Sequence, residues 1–320
     1  MAILFSFIIP HKNGDIAQLR RCLDSIPHRE DVQIIIVDDC SDASVFDVGE
    51  LKKLQDACTE IYWLETGVGP GGARNYALDR AKGEWIFFVD ADDYYEKENL
   101  KRLLDLCTHS MADVVYMGYQ VITNGQKKVN LNGYEEDGDR LYDLDDCERD
   151  AYLDAFYPWQ KCLKRSLLNS QNLRFDELYL SEDRILALEA LLSAKKVERF
   201  SSPVYNYVIH ENSLTTSKPS YERTKGAVGV AIETNRILKR HDKLHIYRDK
   251  TSQRYLTILN EYNIVDYWCF ILKEIWFLGW AFAMEDREYV CMCRGYKVNL
   301  LMQFVDEIRV KAGFLRNRLR

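Results

Sequence analysis

Three carboxylates in four positions, Asp90, Asp92 and Asp93, close the stretch WIFFVDADD that begins at Trp85. Acids this close repel one another, and a hard divalent cation that takes oxygen ligands, and itself holds a phosphate, is the simplest relief. The alternative is an acid-rich helix start, because Asp caps helices and EKENLKRLLDLC follows with amphipathic spacing. Two further acidic pairs invite the same question: Asp38-Asp39 after VQIIIV, and Glu182-Asp183 after Ser181.

The elements that would carry these acids follow from periodicity. Phe5 to Ile9 reads as a strand stopped at Pro10, and Ile16, Leu19, Leu23 and Ile26 then recur at helical spacing. VQIIIV, residues 32–37, is a continuous apolar strand of the kind buried on both faces. The helical ELKKLQDAC, the strand IYWLET, the loop GVGPGG and the helix ARNYALDRAK lead to WIFFVDADD. Repeated strand-loop-helix units predict a mainly parallel, Rossmann-like sheet, in which ligands bind at the carboxyl ends of the strands. DVVYMG, residues 113–118, extends it, and YQVITNGQKKVNL reads as a hairpin around Asn124-Gly125. A helix is expected near 146–155, PWQKCLKRSLL (158–168) looks helical, another helix starts at Ser181-Glu182-Asp183, and VYNYVIH is an aromatic strand. From Tyr221 onward the pattern is helical, which places a boundary after residue 220 and divides the first region at about 118.

The 320 residues, 47% hydrophobic and 29% charged, suit a soluble globular protein. A net charge of −7 argues against broad nucleic-acid binding. Nine cysteines are scattered through predicted helices and strands without a CxxC pair, which suggests reduced thiols rather than a disulfide framework or a zinc site. The start, MAILFSFIIPHKN, lacks a basic segment and a small-residue cleavage site and reads as a first buried strand.

Gly67, Gly69 and Gly72 satisfy G-x-G-x-x-G, so a nicotinamide or flavin enzyme has to be weighed. Against it, the motif follows the third strand instead of the first, Pro70 stiffens the loop, and Asp90 comes with two more acids that would repel a metal-free pyrophosphate.

Seven separated segments, in order, resemble the inverting GT-A glycosyltransferases of family two, bacterial polysaccharide type. FIIPHKN resembles the first strand and turn with Pro10, IIIVDDCSD the nucleotide-binding turn, GPGGARNYAL the glycine-arginine-asparagine helix start, and FVDADD the D-x-D metal motif. PWQKCLKRSLL, SEDRILALEALL and YNYVIHENSLT resemble the later blocks, so the likeness covers roughly residues 4–216. Lys12 and Cys40 depart from it, standing where the family often has Tyr and Gly. The first puts a base-stacking contact in doubt, and the second asks that turn for a less permissive backbone.

The resemblance implies a GT-A fold with a carboxyl-terminal helical region, and transfer of a sugar from a nucleoside-diphosphate donor, with UDP expected, to a glycan or lipid-linked acceptor. Departure of the diphosphate builds negative charge, which calls for a Mn2+ or Mg2+ Lewis acid. Asp92 is the expected first metal ligand, Asp90 would share the metal or contact the ribose, and Asp93 would support them from behind or cap the next helix. Asp39 resembles the acid that meets uracil or ribose, with a turn Asp as the alternative. Arg74 could meet base or phosphate with its rigid fork of donors, or form a surface ion pair. Asp183 resembles the catalytic base that takes the acceptor hydroxyl's proton, with Glu182 beside it, although capping of the helix by this acidic start is the other use. His210 could ligate the metal or donate to the diphosphate, and Trp159 and Lys161 are candidate substrate contacts, against a core Trp and a solvated Lys. A degenerate member that binds nucleotide or glycan without turnover is the reading from another class.

YWCFILKEIWFLGWAFAM, residues 267–284, is nearly long enough to span a bilayer, but Lys273 and Glu274 near its middle would each cost roughly 2.5 to 3.5 kcal/mol there. Between residues 294 and 320, seven Lys or Arg face only Asp306 and Glu307 beside an apolar helical stripe. That pattern suits either peripheral docking on the anionic inner face of the plasma membrane or a helix packed on the catalytic domain, and the expected location is cytoplasmic.

Overall fold

The computed structural model describes residues 2–123, 125–130, 140–176, 182–209 and 220–247, all within one compact unit, Met1–Ser252. Strand β1 (Phe5–His11) leads to α1 (Ile16–Asp24), whose first turn is capped by the Asp15 carboxylate accepting from the Ala17 amide at 2.7 Å. Then come β2 (Val32–Asp38), the short α2 (Val48–Lys52), β3 (Thr59–Trp63), α3 (Gly69–Leu78) and β4 (Trp85–Phe88). All seven residues of β2 and all four of β4 are buried, as continuous apolar runs require when both faces of a sheet are covered. Phe5, Phe7, Ile9, Ile34 and Ile36 join Leu19 and Leu23 in the main core, while α3 packs on β1 and β2.

After β4 come β5 (Tyr94–Tyr95), α4 (Lys97–Cys107), β6 (Val114–Thr123), β7 (Gln126–Asn130), β8 (Leu141–Asp143) and α5 (Asp146–Asp150). A 3-10 turn (Pro158–Gln160) opens β9 (Lys161–Lys164), followed by α6 (Arg165–Ser170), α7 (Glu182–Ser193), β10 (Val197–Ile209) and α8 (Tyr221–Arg240). These make a ten-stranded sheet with the order β3-β2-β1-β4-β9-β6-β10-β5, β7 pairing with β6 and β8 with β10 off that path. The half β3-β2-β1-β4 is parallel throughout, β10 runs parallel to β6, and β6 and β7 form the expected hairpin.

The helix expected over ELKKLQDAC ends at Lys52, β5 and β8 are additional strands, and two further differences bear on the site. The stretch 158–168 is not one helix, because β9 slots antiparallel between β4 and β6, with Cys162 opposite both Phe87 and Val115. A local pattern cannot show that slot, since its two walls come from strands distant in sequence. Helix α3 starts at Gly69 rather than Ala73, so GPGG is its first turn and not a loop before it. Among the described residues no helix is long and apolar enough to cross a membrane, and the cysteines there are free thiols. Residues 267–284 and the basic tail lie outside the described residues.

Candidate active site

Because β1 to β4 run parallel, their carboxyl ends meet at one edge, which brings His11, Asp38, Asp39 and the Asp90 to Asp93 turn together. Asp38 organises the first turn. Its Oδ1 lies 2.9 Å from His11 Nδ1 and accepts from the Ser41 hydroxyl at 2.6 Å, and its Oδ2 accepts from the Ser41 amide at 2.9 Å. Burial pushes this carboxyl up, but the bonds from His11 and Ser41 outweigh it and hold Asp38 below the usual range.

Asp39 is buried and reaches across to α3. It accepts from the amides of Val68 at 2.6 Å and Gly69 at 3.1 Å, and from Lys12 Nζ at 3.2 Å. It therefore supplies the N-terminal cap and the negative charge that Val68, the helix's own cap position, does not. Lys12, the departure from the family pattern, pairs with this carboxylate. The glycines here have packing reasons. Gly69 has φ +79°, and a Cβ on Gly72 would lie 2.6 Å from Val68 Cγ2. With the Val68 and Gly69 amides already given to Asp39, the dinucleotide reading loses the helix N-terminus on which a pyrophosphate would sit. Cys40 stands at φ +58°, so the turn does ask for the glycine that the family often places there.

Arg74 is buried, not a surface residue. Its Nη2 donates to Asp90 Oδ1 at 2.8 Å, and its guanidinium lies 5.3 Å from the centre of the Phe175 ring. The acid-bearing turn is fixed through both its backbone and its side chains. Arg21 Nη2 donates to the Asp92 carbonyl at 2.5 Å, and the Asp90 amide donates to the Tyr205 hydroxyl at 3.1 Å. Asp90 keeps about a third of its side chain exposed (33%) and Asp92 is half-buried, whereas Asp93 points inward. Asp93 accepts from the Tyr205 hydroxyl at 2.7 Å and from the Val208 amide at 2.7 Å. Burial, with the charges of Asp90 and Asp92 added, pushes its carboxyl well above the usual range. Helix α4 is preceded by β5 and has Glu96 at its cap position, so none of the three acids serves as its N-cap.

Among the described residues no three metal-binding side chains converge. The acids still fit a hard divalent ion, since such ions are commonly held by one or two carboxylates with substrate phosphates completing the shell. Asp92 and the exposed part of Asp90 offer that kind of oxygen, although Asp90 is already half-neutralised by Arg74.

Asp183 lies in the first turn of α7, half-buried, and Glu182 opens that helix. Its negative charge acts on Lys161, which is fully enclosed. Lys161 Nζ donates to the carbonyls of Ala155 at 2.8 Å and Tyr157 at 2.6 Å. Burial pulls this amine down to about 7 against the opposing pull of Asp183. Trp159 is also enclosed, its ring stacked on Tyr205 at 4.6 Å and 8°. Trp159 is thus the core Trp that the sequence held open as the alternative, while Lys161 is enclosed at a strand start and is neither solvated nor exposed to a substrate. His210 lies outside the described residues. Sequence reasoning missed Tyr205, whose signal was the alternation of Tyr205 and Tyr207 in the aromatic strand.

A parallel half β3-β2-β1-β4, an acidic turn at its carboxyl edge and a carboxylate on a later helix make up a GT-A architecture. The glycosyl transferase family 2 model matches residues 6–156 of the chain. The chain is 29% identical over 245 residues to the EpsH protein of Bacillus subtilis, covering 72% of this chain and 68% of that one. It is 32% identical over 211 residues to a poly(ribitol-phosphate) beta-glucosyltransferase of Bacillus spizizenii, covering 64% of this chain but only 32% of that protein. Among solved structures, Staphylococcus aureus TarS residues 1–349 in complex with UDP-GlcNAc superposes with a TM-score of 0.61 at 25% identity, over 86% of this chain and 73% of that one.

Proposed function

We propose that this protein is an inverting glycosyltransferase that moves a sugar from a UDP-sugar to a bacterial surface glycan or its lipid-linked precursor. The observation that carries the reading is the joint placement of Asp92, the Arg74–Asp90 pair and Asp39 along one strand edge. The charge of Asp183 reaches the buried Lys161, whose strand starts at that same edge. UDP is supported by the TarS complex with UDP-GlcNAc, and the glycan acceptor by the similarity to a succinoglycan biosynthesis protein of Rhizobium meliloti. Asp183 takes the proton of the acceptor hydroxyl as its oxygen attacks the anomeric carbon. The bond to the diphosphate breaks on the opposite face, and its electron pair leaves with the diphosphate. A Mn2+ or Mg2+ held by Asp92, with Asp90 beside it, would supply Lewis-acid stabilisation of that leaving charge. Arg74 sets the Asp90 carboxylate in place.

Thermal unfolding with UDP, GDP or NAD, each with and without Mn2+, tests this. Ligand at a hundred times its Kd adds about 2.7 kcal/mol, enough to move the midpoint visibly. A manganese-dependent shift with UDP is expected. A shift with GDP in its place would change the donor class alone, and one with NAD alone would overturn the reading.

A further inference from the structure

Two large aromatic side chains are exposed among the described residues: Trp63, at the outer end of the sheet beside Lys52, and Tyr157, 51% exposed. Tyr157 comes just before the turn that opens β9, and because β9 runs antiparallel to β4, that turn lies at the strand edge where the Asp90 to Asp93 turn begins. The ring is held firmly for a surface side chain. It lies flat on Trp159 at 4.8 Å and 14°, and Trp159 lies flat on Tyr205, whose hydroxyl bonds to Asp93 and to the amide of Asp90. Its carbonyl takes a hydrogen bond from Lys161, the buried amine that feels Asp183, and Pro158 restricts its backbone to the extended form observed.

An exposed ring already stacked on a buried one has less freedom to lose and offers apolar contact at low entropic cost. At the edge of a site that handles sugars, its natural complement is the C–H face of a pyranose ring. We propose that Tyr157 is the stacking platform of the acceptor subsite, selecting a cyclic sugar over an acyclic polyol phosphate. This rests on the glycosyltransferase reading above. The column Tyr157–Trp159–Tyr205 ties the platform to the acidic turn, and Lys161 ties it to Asp183, so acceptor and donor sides share one rigid support.

Saturation-transfer NMR on the full chain with UDP and Mn2+ tests it, using methyl β-D-glucopyranoside, methyl β-D-galactopyranoside and ribitol 5-phosphate as probes. Ring C–H protons of at least one glycoside should be saturated with the wild-type protein. Tyr157→Ala should weaken that binding at least tenfold, Tyr157→Phe and Tyr157→Trp should keep it, and the UDP-induced thermal shift should be the same in all four proteins. No glycoside saturation with wild type, a signal that survives Tyr157→Ala, or equal Tyr157-dependent saturation of ribitol 5-phosphate would overturn the platform. If UDP fails to stabilise the wild type while the glycoside signal still depends on Tyr157, the nucleotide-sugar reading falls and the platform stands as a carbohydrate-binding feature.

Discussion

The Tyr205 hydroxyl donates to Asp93 Oδ2 at 2.7 Å and accepts from the Asp90 amide at 3.1 Å, pinning the acidic turn to strand β10 across 112 residues of chain. Tyr205→Phe keeps the ring that stacks on Trp159 but strips both bonds, leaving a buried carboxyl and an amide each short of a partner. Unsatisfied buried groups of this kind cost about 1–3 kcal/mol each. Chemical denaturation should show a loss of that order. UDP affinity should fall as well, because Asp90 and Asp92 ride on the loosened turn. An unchanged denaturation midpoint would mean the hydroxyl contributes nothing to that support.

Cys40 stands in the left-handed region at φ +58°, with its Sγ 3.5 Å from the Glu65 carbonyl as a weak compensation. A side chain in that conformation costs roughly 1–2 kcal/mol relative to glycine. Cys40→Gly gives part of this back in flexibility of the unfolded chain, so a net gain of about 0.5–1 kcal/mol is expected. A raised thermal midpoint with unchanged UDP binding is the outcome to look for; a lowered one would show that the thiol contact matters more than the backbone.

Much of this arrangement is legible in the chain because its causes are local. The runs IIIV and WIFF are too apolar to lie anywhere but between two covered faces, and the acids that follow them must then emerge at the sheet edge. The departure at Cys40 is readable for the same reason, since a turn conformation is set by a few residues. What escapes is settled by partners distant in sequence. Lys161 looks like a solvated lysine until β9 is seen filling the gap between β4 and β6. Nothing local to Asp39 shows that it will also cap α3 through the amides of Val68 and Gly69. Nothing near Asp93 announces that Tyr205 and Val208 will hold it from behind.

Lys161 gives a pH signature. Burial lowers its pKa to about 7, against 10.5 for an ordinary lysine, so between those values the unfolded chain binds a proton that the native protein has released. Stability contributed by this site therefore rises with pH through that window, by up to about 1.4 kcal/mol per pH unit. The two carbonyls it serves match the two N–H donors of a neutral amine. Lys161→Met removes the slope and leaves those carbonyls without their donor. The unfolding free energy of wild type minus that of the variant, measured from pH 7 to 10, should grow with pH. A flat difference would mean that Lys161 keeps its proton in the folded state.

In the proposed mechanism, Asp183 is the residue on which turnover depends. Asn matches Asp in shape but cannot take a proton, so Asp183→Asn should leave the start of α7 in place and remove the base. Loss of a general base typically lowers rate 10²- to 10⁴-fold, and a fall of about that size in sugar transfer is expected. Nucleotide binding should be spared, because Asp39, Arg74 and Asp92 keep their settings; the UDP-induced thermal shift measures that in the same samples. The substitution also removes the negative charge that opposes the drop in the Lys161 pKa, so the Lys161-dependent stability slope should extend to lower pH. If transfer survives while the slope moves, Asp183 supports Lys161 electrostatically and another group takes the acceptor's proton. If transfer collapses with UDP binding intact, Asp183 is the base.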